Sequence, residues 1–291
     1  MKKIIILISI LIAIFLAVFL IFFANKNTQS TFIIDKYELP NILHEISSIS
    51  YMSNNKIAAI QDELGTIFVY DLAVNKIINE IDFNLPGDYE GIEYVDDKFY
   101  ILRSDGIIYE VQNNKSNPKI AEYNLDLFAK NNEGLTYDKE GNRLLISTKS
   151  KTSTGKETKN ERHIYAFDLI KKEIEKTPAI IINIDDVEAH INNNDIVLEP
   201  KNDKSKKILK FRPSGIAIHP INKRLYIISA IDNLIISTDL IGNILTIRQL
   251  DISTFNKPEG IDFYENGDAL ISNEGGDSNP TLLKLKIENI N

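Results

Sequence analysis

Lys257-Pro258-Glu259-Gly260-Ile261-Asp262-Phe263-Tyr264-Glu265-Asn266-Gly267-Asp268-Ala269-Leu270-Ile271-Ser272-Asn273-Glu274-Gly275-Gly276 is the stretch that decides the fold. Two short runs of alternating apolar residues flank Glu265-Asn266-Gly267-Asp268, and Asn-Gly between such runs is hairpin chemistry. An acidic loop follows. The same phrase recurs upstream as Ser47-Ser48-Ile49, Glu90-Gly91-Ile92, Glu133-Gly134-Leu135 and Ser214-Gly215-Ile216, ending at Glu259-Gly260-Ile261. Measured at the middle residue, the steps are 43, 43, 81 and 45 residues. A period of about 40 to 45 built from short strands predicts an all-β fold, a β-propeller of four-stranded antiparallel blades.

Turn signals divide each unit into strands. The first unit reads as 46–52, 56–61, 66–71 and 76–83, turning at Asn54-Asn55. The second reads as 89–95, 98–103, 107–112 and 119–123, turning at Asp96-Asp97. The third reads as 133–138, 143–148, 163–169 and 173–181, with the charged segment 151–162 expected as an exposed loop. The fourth reads as 214–219, 224–230, 234–239 and 244–250, and the last supplies only three strands, 259–264, 268–273 and 281–287. Residues 32–39 precede the first unit as an unassigned strand, which predicts that the N-terminal strand completes the last blade and removes an open sheet edge. The 81-residue step contains Asp185-Asp186-Val187-Glu188-Ala189-His190, which opens like a capped helix, then lysine-rich sequence without four strands. Five blades with a partly helical insertion at about 183–211 are therefore expected, six being the alternative.

Ahead of the repeats, Met1-Lys2-Lys3 is followed by residues 4–24, whose only polar side chain is Ser9. Such a helix would be about 31 Å long, enough for a hydrocarbon core. Phe22-Phe23-Ala24 is a poor cleavage context, so residues 1–24 are expected as an uncleaved single-pass transmembrane anchor, a signal peptide being the alternative. The basic start stays cytoplasmic by the positive-inside rule. The domain 32–291 would then lie on the extracytoplasmic (periplasmic or outer) side of the cell membrane, after a polar linker at 25–31.

A net charge of −8 argues against nucleic acid, whose phosphates require clustered Lys and Arg. The absence of cysteine excludes disulfides, thiolate metal sites and Cys nucleophiles. Four scattered histidines form no His-x-x-x-His pair, and neither a Gly-x-Ser-x-Gly elbow nor a phosphate loop occurs. No catalytic residue is assigned.

Several pieces together resemble the SdiA-regulated (YjiK/CarP-like) β-propeller proteins: 45–51, 59–63, Asp88-Tyr89-Glu90-Gly91-Ile92, Asn132-Glu133-Gly134-Leu135, 213–220, Pro258-Glu259-Gly260-Ile261 and 271–275. The likeness spans residues 32–290. It implies a membrane-associated or secreted propeller, linked to calcium in some members, without a transferable enzymatic activity.

In a propeller the first strand of each blade lines the central channel. The Gly of each repeat allows neighbouring backbones to approach, or marks a bulge. Glu90, Glu133 and Glu259, with Ser47 and Ser214, are then placed at one channel mouth. The loops after the second strands add Asp62 and Glu63, Ser104 and Asp105, Asp232, and Asn273 with Glu274. An oxygen-only donor set suits a hard cation such as calcium, with Glu90, Glu133, Glu259, Asp62, Glu63 and Glu274 as candidate ligands. Each of these is also ordinary turn chemistry when taken alone. Arg103 or Lys149 could instead offset the charge as an internal ion-pair network. Three functions compete: a non-enzymatic calcium- or ligand-binding protein, a calcium-assisted hydrolase of phosphoesters, lactones or esters, and a protein-interaction scaffold using 151–162 and 183–211.

Overall fold

The computed structural model describes residues 33–112, 118–127, 131–150, 159–198 and 209–287. Five sheets arranged around a common axis form a five-bladed propeller. Blade 1 contains β2 (Ile46–Ser53), β3 (Lys56–Gln61), β4 (Thr66–Asp71) and β5 (Lys76–Asp82). Blade 2 contains β6 (Tyr89–Val95), β7 (Lys98–Arg103), β8 (Ile107–Gln112) and β9 (Ile120–Asn124). Blade 3 contains β10 (Asn132–Asp138), β11 (Arg143–Thr148), β12 (Glu161–Asp168), β13 (Glu173–Ile174) and β14 (Ile180–Asn183). Blade 4 contains β15 (Gly215–Ile218), β16 (Leu225–Ser229), β17 (Leu234–Thr238) and β18 (Ile244–Gln249). Blade 5 contains β19 (Pro258–Phe263), β20 (Asp268–Asn273) and β21 (Thr281–Lys286), completed by β1 (Ile33–Glu38). β1 pairs antiparallel with β21, Tyr37 opposite Leu282, so the expected closure of the ring by the N-terminal strand holds.

Local chemistry explains the hairpins. Asn54, Asn55, Asp96 and Asp97 all sit at φ between 48° and 60°, the left-handed pairing of two-residue turns that Asn and Asp tolerate. Four of the five inner strands carry a register shift at the repeat position, as between Tyr89 and Gly91 and between Pro258 and Ile261, β15 being the regular one. The glycines meet the next blade: a Cβ on Gly260 would lie 3.0 Å from the backbone nitrogen of Ile49, and one on Gly215 would overlap the carbonyl oxygen of Glu259. Close approach and bulging therefore both apply. At the equivalent position of blade 1, Ser48 fills the space instead, and its Oγ accepts from the Ile92 N–H at 3.2 Å.

Apolar side chains are sandwiched between adjacent blades in five clusters, one per interface. Tyr70, Tyr89, Tyr226, Phe68, Phe99 and Phe167 are the bulkiest fully buried groups. The cluster between blades 3 and 4 also receives Val187 and Ile191 from the helix α1 (Ile184–Asn193) and Phe211 from the end of the insertion. Asn183 caps α1 by accepting from the Asp185 N–H at 2.9 Å, two residues earlier than the acidic pair that signalled the helix.

Two expectations need correction. The loop expected at 151–162 ends sooner, because β12 begins at Glu161 and Arg162 is 7% exposed. Its guanidinium donates to the carbonyls of Phe211 (2.7 Å) and Lys210 (2.9 Å), tying the insertion's end to blade 3. The single strand expected at 173–181 is two short ones, β13 and β14, both paired with β12. The anchor expected at 1–24 and the linker at 25–31 lie outside the described residues, as do 151–158 and 199–208 of the two proposed interaction segments. Among the described residues no helix is long and apolar enough to cross a membrane.

Candidate functional site at the channel mouth

The starts of the inner strands and the ends of the second strands meet at one face. Glu90, Glu133 and Glu259 come from β6, β10 and β19. Asp62, Glu63 and Glu274 follow β3 and β20. Pairwise charge interactions link the six into one chain, with Glu45 and Asp88 among the links and Glu63 joined only through Asp62. Eight carboxylates thus share the mouth with the ammonium groups of Lys149 and Lys257.

Burial dominates their electrostatics. It pushes Glu90 up to about 9, helped by the charges of Glu133 and Asp88. It raises Glu259 to about 8, helped by Glu274 and Glu133. Asp62 is raised by burial and then by Glu45, Glu63 and Asp88. A desolvated carboxylate beside like charges is costly to ionise unless a cation compensates.

Two lysines supply part of that compensation. Lys149 Nζ, just past β11, lies 2.5 Å from Glu133 Oε1. Lys257 pairs with Glu274 and sits 3.8 Å from Glu259 Oε1. Burial works against charge on both ammonium groups. On Lys149 the neighbouring Glu133 prevails, and on Lys257 the bonded Glu274, so both are held above their ordinary values. Ser104 donates to Asp88, and His44 Nδ1 lies 3.0 Å from Glu45 Oε1.

The remainder is incompletely satisfied. Asp62 Oδ1 is buried without a hydrogen-bond partner. Among the described residues, Glu259, 7% exposed, has only the 3.8 Å lysine contact. No hydrogen bond or ion pair reaches the Glu90 carboxylate from the described residues. Among those residues, no three carboxylate or imidazole side chains converge closely enough to hold a metal ion. The oxygen-only chemistry suits calcium, whereas the present arrangement engages lysines.

Other residues expected at the mouth have different roles. Arg103 pairs with Asp105 (2.8 Å) and donates to the Tyr109 hydroxyl, so neither charge serves the cluster. Asp232 accepts from the Phe211 N–H at 2.8 Å and anchors the insertion. Asn273 donates to Thr281 Oγ1. Ser47 and Ser214 donate to the carbonyls of Tyr89 and Pro258 in the next blade.

The sequence reading missed Lys257, Glu45 and Asp88, although all three stand three residues before the middle residue of the repeat phrase. It also missed a second carboxylate pair deeper in the channel. Glu93 and Asp262, two residues after the repeat Gly, both lie beside the Ser50 hydroxyl, which favours their ionised forms. Asp262 accepts from the Tyr51 N–H (2.5 Å) and from its neighbour Phe263 (2.8 Å), and burial raises it to about 6. Burial and then Asp262 hold Glu93 well above the usual carboxylate range. These groups stitch adjacent inner strands: Ser50 accepts from Tyr94 N–H, Glu93 from Tyr137 N–H, Thr136 from Ile218 N–H, and Asp262 from Tyr51 N–H. Ala217, the fifth member, has no acceptor, and Asp262 takes the Phe263 N–H itself. The available signal was polarity at this phase in four of five repeats.

Comparison with solved structures supports the fold. Glutaminyl cyclase from Myxococcus xanthus is 11% identical at a TM-score of 0.56, covering 87% of this chain and 94% of that one. Streptogramin B lyase is 18% identical at a TM-score of 0.46, covering 86% and 68%. A luciferin-regenerating enzyme is 10% identical at 0.48, covering 87% and 92%. The likeness to the glutaminyl cyclase concerns architecture alone, and the other two likenesses carry nothing further. No curated protein sequence matches the chain. The family model described as SdiA-regulated matches residues 24–275, which takes in four complete blades and all of blade 5 except β21. The chain belongs to the SdiA-regulated family of β-propeller proteins.

Proposed function

We propose that this protein is a membrane-anchored, extracytoplasmic β-propeller that binds a cationic ligand, calcium in the simplest case, at the acidic channel mouth and performs no chemistry there. The observation that carries the reading is the imbalance at the mouth. Eight carboxylates face two ammonium groups, while Asp62 Oδ1 and the Glu259 carboxylate, both buried, lack hydrogen bonds. A buried polar atom without a partner costs about 1–3 kcal/mol, and more if charged, so a ligand supplying the missing positive charge would be held against that cost. Asp62, Glu63, Glu90, Glu133, Glu259 and Glu274 would provide its oxygens. Calcium accepts six to eight such oxygens in irregular geometry and would neutralise charge that the lysines leave uncovered.

The anchor rests on the apolar segment 4–24, which is long enough to span a bilayer. Retention of the full chain in the membrane fraction after alkaline carbonate washing is expected; release into the supernatant would remove the anchor from the reading.

The ligand is tested by melting the purified full chain in chelator and in 1 mM calcium. At a hundredfold excess over Kd, binding stabilises by about 2.7 kcal/mol. The shift should vanish in a Glu90→Gln/Glu133→Gln/Glu259→Gln triple variant. An unchanged Tm in the wild type, or an equal shift in the variant, would exclude calcium at the mouth.

A further inference from the structure

We infer that the face opposite the channel mouth is a docking surface for the lipid bilayer, seated by isoleucine-tipped turns of blades 3 and 4 beside the tether. The inference rests on the membrane anchor proposed above and adds how the propeller stands on its membrane. Singly scattered apolar side chains need no partner, so their placement decides the matter. Among the described residues, the five most exposed large apolar side chains are Val197, Ile170, Ile241, Leu85 and Ile221. Ile170, Ile221 and Ile241 share one face. Ile170 lies just past β12, Ile221 between β15 and β16, and Ile241 just past β17. Register puts all three turns at the closed ends of the inner hairpins, away from the mouth. Asp168 pairs with Arg143, and Thr238 with Leu225, which pairs with Ile218.

Each tip is held out in water by its own turn. Asp168 Oδ1 accepts from the N–H groups of Ile170 and Lys171, both at 2.8 Å. Asp239 Oδ1 accepts from those of Ile241 (3.1 Å) and Asn243 (2.9 Å). His219 Nδ1 accepts from the Ile221 N–H at 3.1 Å. Folding the tips back onto the blades would break these bonds, so Ile170, Ile241 and Ile221 stay 79%, 78% and 64% exposed. Blade 1 repeats the arrangement, with Asp71 accepting from the N–H of Val74.

The tether identifies what covers this face. β1 starts here, because Ile33 pairs with Leu285, and the next residue, Lys286, pairs with Asp268 at the start of β20. Only eight residues, 25–32, separate Ile33 from the apolar segment 4–24. Fully extended, they reach at most about 29 Å. With the mouth towards the bilayer, Ile33 would be lifted by the length of β1, about 20 Å, and by the headgroups, leaving the linker almost no slack. That orientation would also desolvate the carboxylates of the mouth. The opposite face meets neither cost, and its charges are mixed: Lys171 and Lys223, near the tips, are 72% and 50% exposed. Blade 4, which carries two of the tips, adjoins blade 5, where the tether enters. The mouth then opens away from the membrane, towards solutes.

The chain has no cysteine, so a single introduced one carries an environment-sensitive fluorophore to a chosen turn. The full chain bearing Ile170→Cys, Ile221→Cys or Ile241→Cys is placed in phosphatidylcholine vesicles containing a lipid with a nitroxide high on its acyl chain. Fluorescence should be lost at all three tips and kept at Leu85→Cys, on the mouth face. All four positions are exposed, so labelling leaves the fold intact. Adding Ile170→Asn and Ile241→Asn to the Ile221→Cys protein should restore fluorescence, since each inserted isoleucine favours the docked state about three- to tenfold. Restoration separates docking from simple nearness to the tether. In a chain that alkaline carbonate does not release, three results would each overturn the docking surface and leave the anchor intact: no loss at the tips, equal loss at Leu85→Cys, or a loss at Ile221→Cys unmoved by the added substitutions. Release by carbonate would overturn the anchor and the docking together.

Discussion

Glu90→Gln should stabilise the metal-free protein at neutral pH, although it removes a residue assigned to ligand binding. The unfolded chain releases the Glu90 proton near 4.5, whereas burial and the neighbouring Glu133 hold it in the folded chain until about 9. Below pH 4.5 both states carry the proton and the group costs nothing. As pH rises, the unfolded state gains from ionisation while the folded state cannot, so stability falls until about pH 9. At about 1.4 kcal/mol per unit, pH 7 lies about 2.5 units into that window, a ceiling of about 3 kcal/mol. Glu133 and Glu259 share the same field and relax when Glu90 is neutral, so a gain of about 1–3 kcal/mol is expected. No hydrogen bond from the described residues ends on Glu90, so glutamine strands no partner.

Urea denaturation in chelator at pH 5, 7 and 8.5 measures the effect. The two proteins should nearly coincide at pH 5 and diverge with rising pH, the variant being the more stable. In calcium the order should reverse. Equal slopes with pH, or a variant less stable than wild type at pH 8.5, would refute the claim that Glu90 is held protonated by burial among like charges.

Further expectations concern the ring. Gly215→Ala drives a Cβ into the Glu259 carbonyl and should cost about 3 kcal/mol or more; a calorimetric Tm unchanged within error would show that β15 and β19 can separate. Deleting residues 33–38 uncovers the edge of β21 and exposes its row of unpaired backbone groups. The truncated chain should aggregate or lose cooperative unfolding on gel filtration and melting, and a monomer with wild-type Tm would contradict closure by β1.

The repeat phrase alone determined the architecture. Its period, its Asn-Asn and Asp-Asp turns and its alternating strands are local, and each blade is a local unit, so the sequence favoured five blades and identified the three-strand deficit filled from 32–39, while the 81-residue step kept six blades as an alternative until the sheets were seen. The repeat Gly was also legible, because at Gly91, Gly134, Gly215 and Gly260 an added Cβ would press on the next inner strand, whereas blade 1 carries Ser48 there. The departures lie where pairing overrides pattern: Arg162 reads as loop charge yet is buried against the Phe211 and Lys210 carbonyls, a contact spanning about fifty residues.

Tertiary structure alone decided the state of the mouth. Sequence phase put Glu90, Glu133 and Glu259 on one rim and named Lys149 as a possible counter-charge. Phase carries no distances, however, so it could not place Lys257 between Glu259 and Glu274, or turn Arg103 away to Asp105. It likewise concealed Glu93 and Asp262, because the bulge at the repeat Gly shifts the strand's alternation and only then directs the second residue after it to the neighbouring blade. Which charges are buried, and which remain free to move, follows from how five inner strands crowd one axis, and no single repeat contains that information.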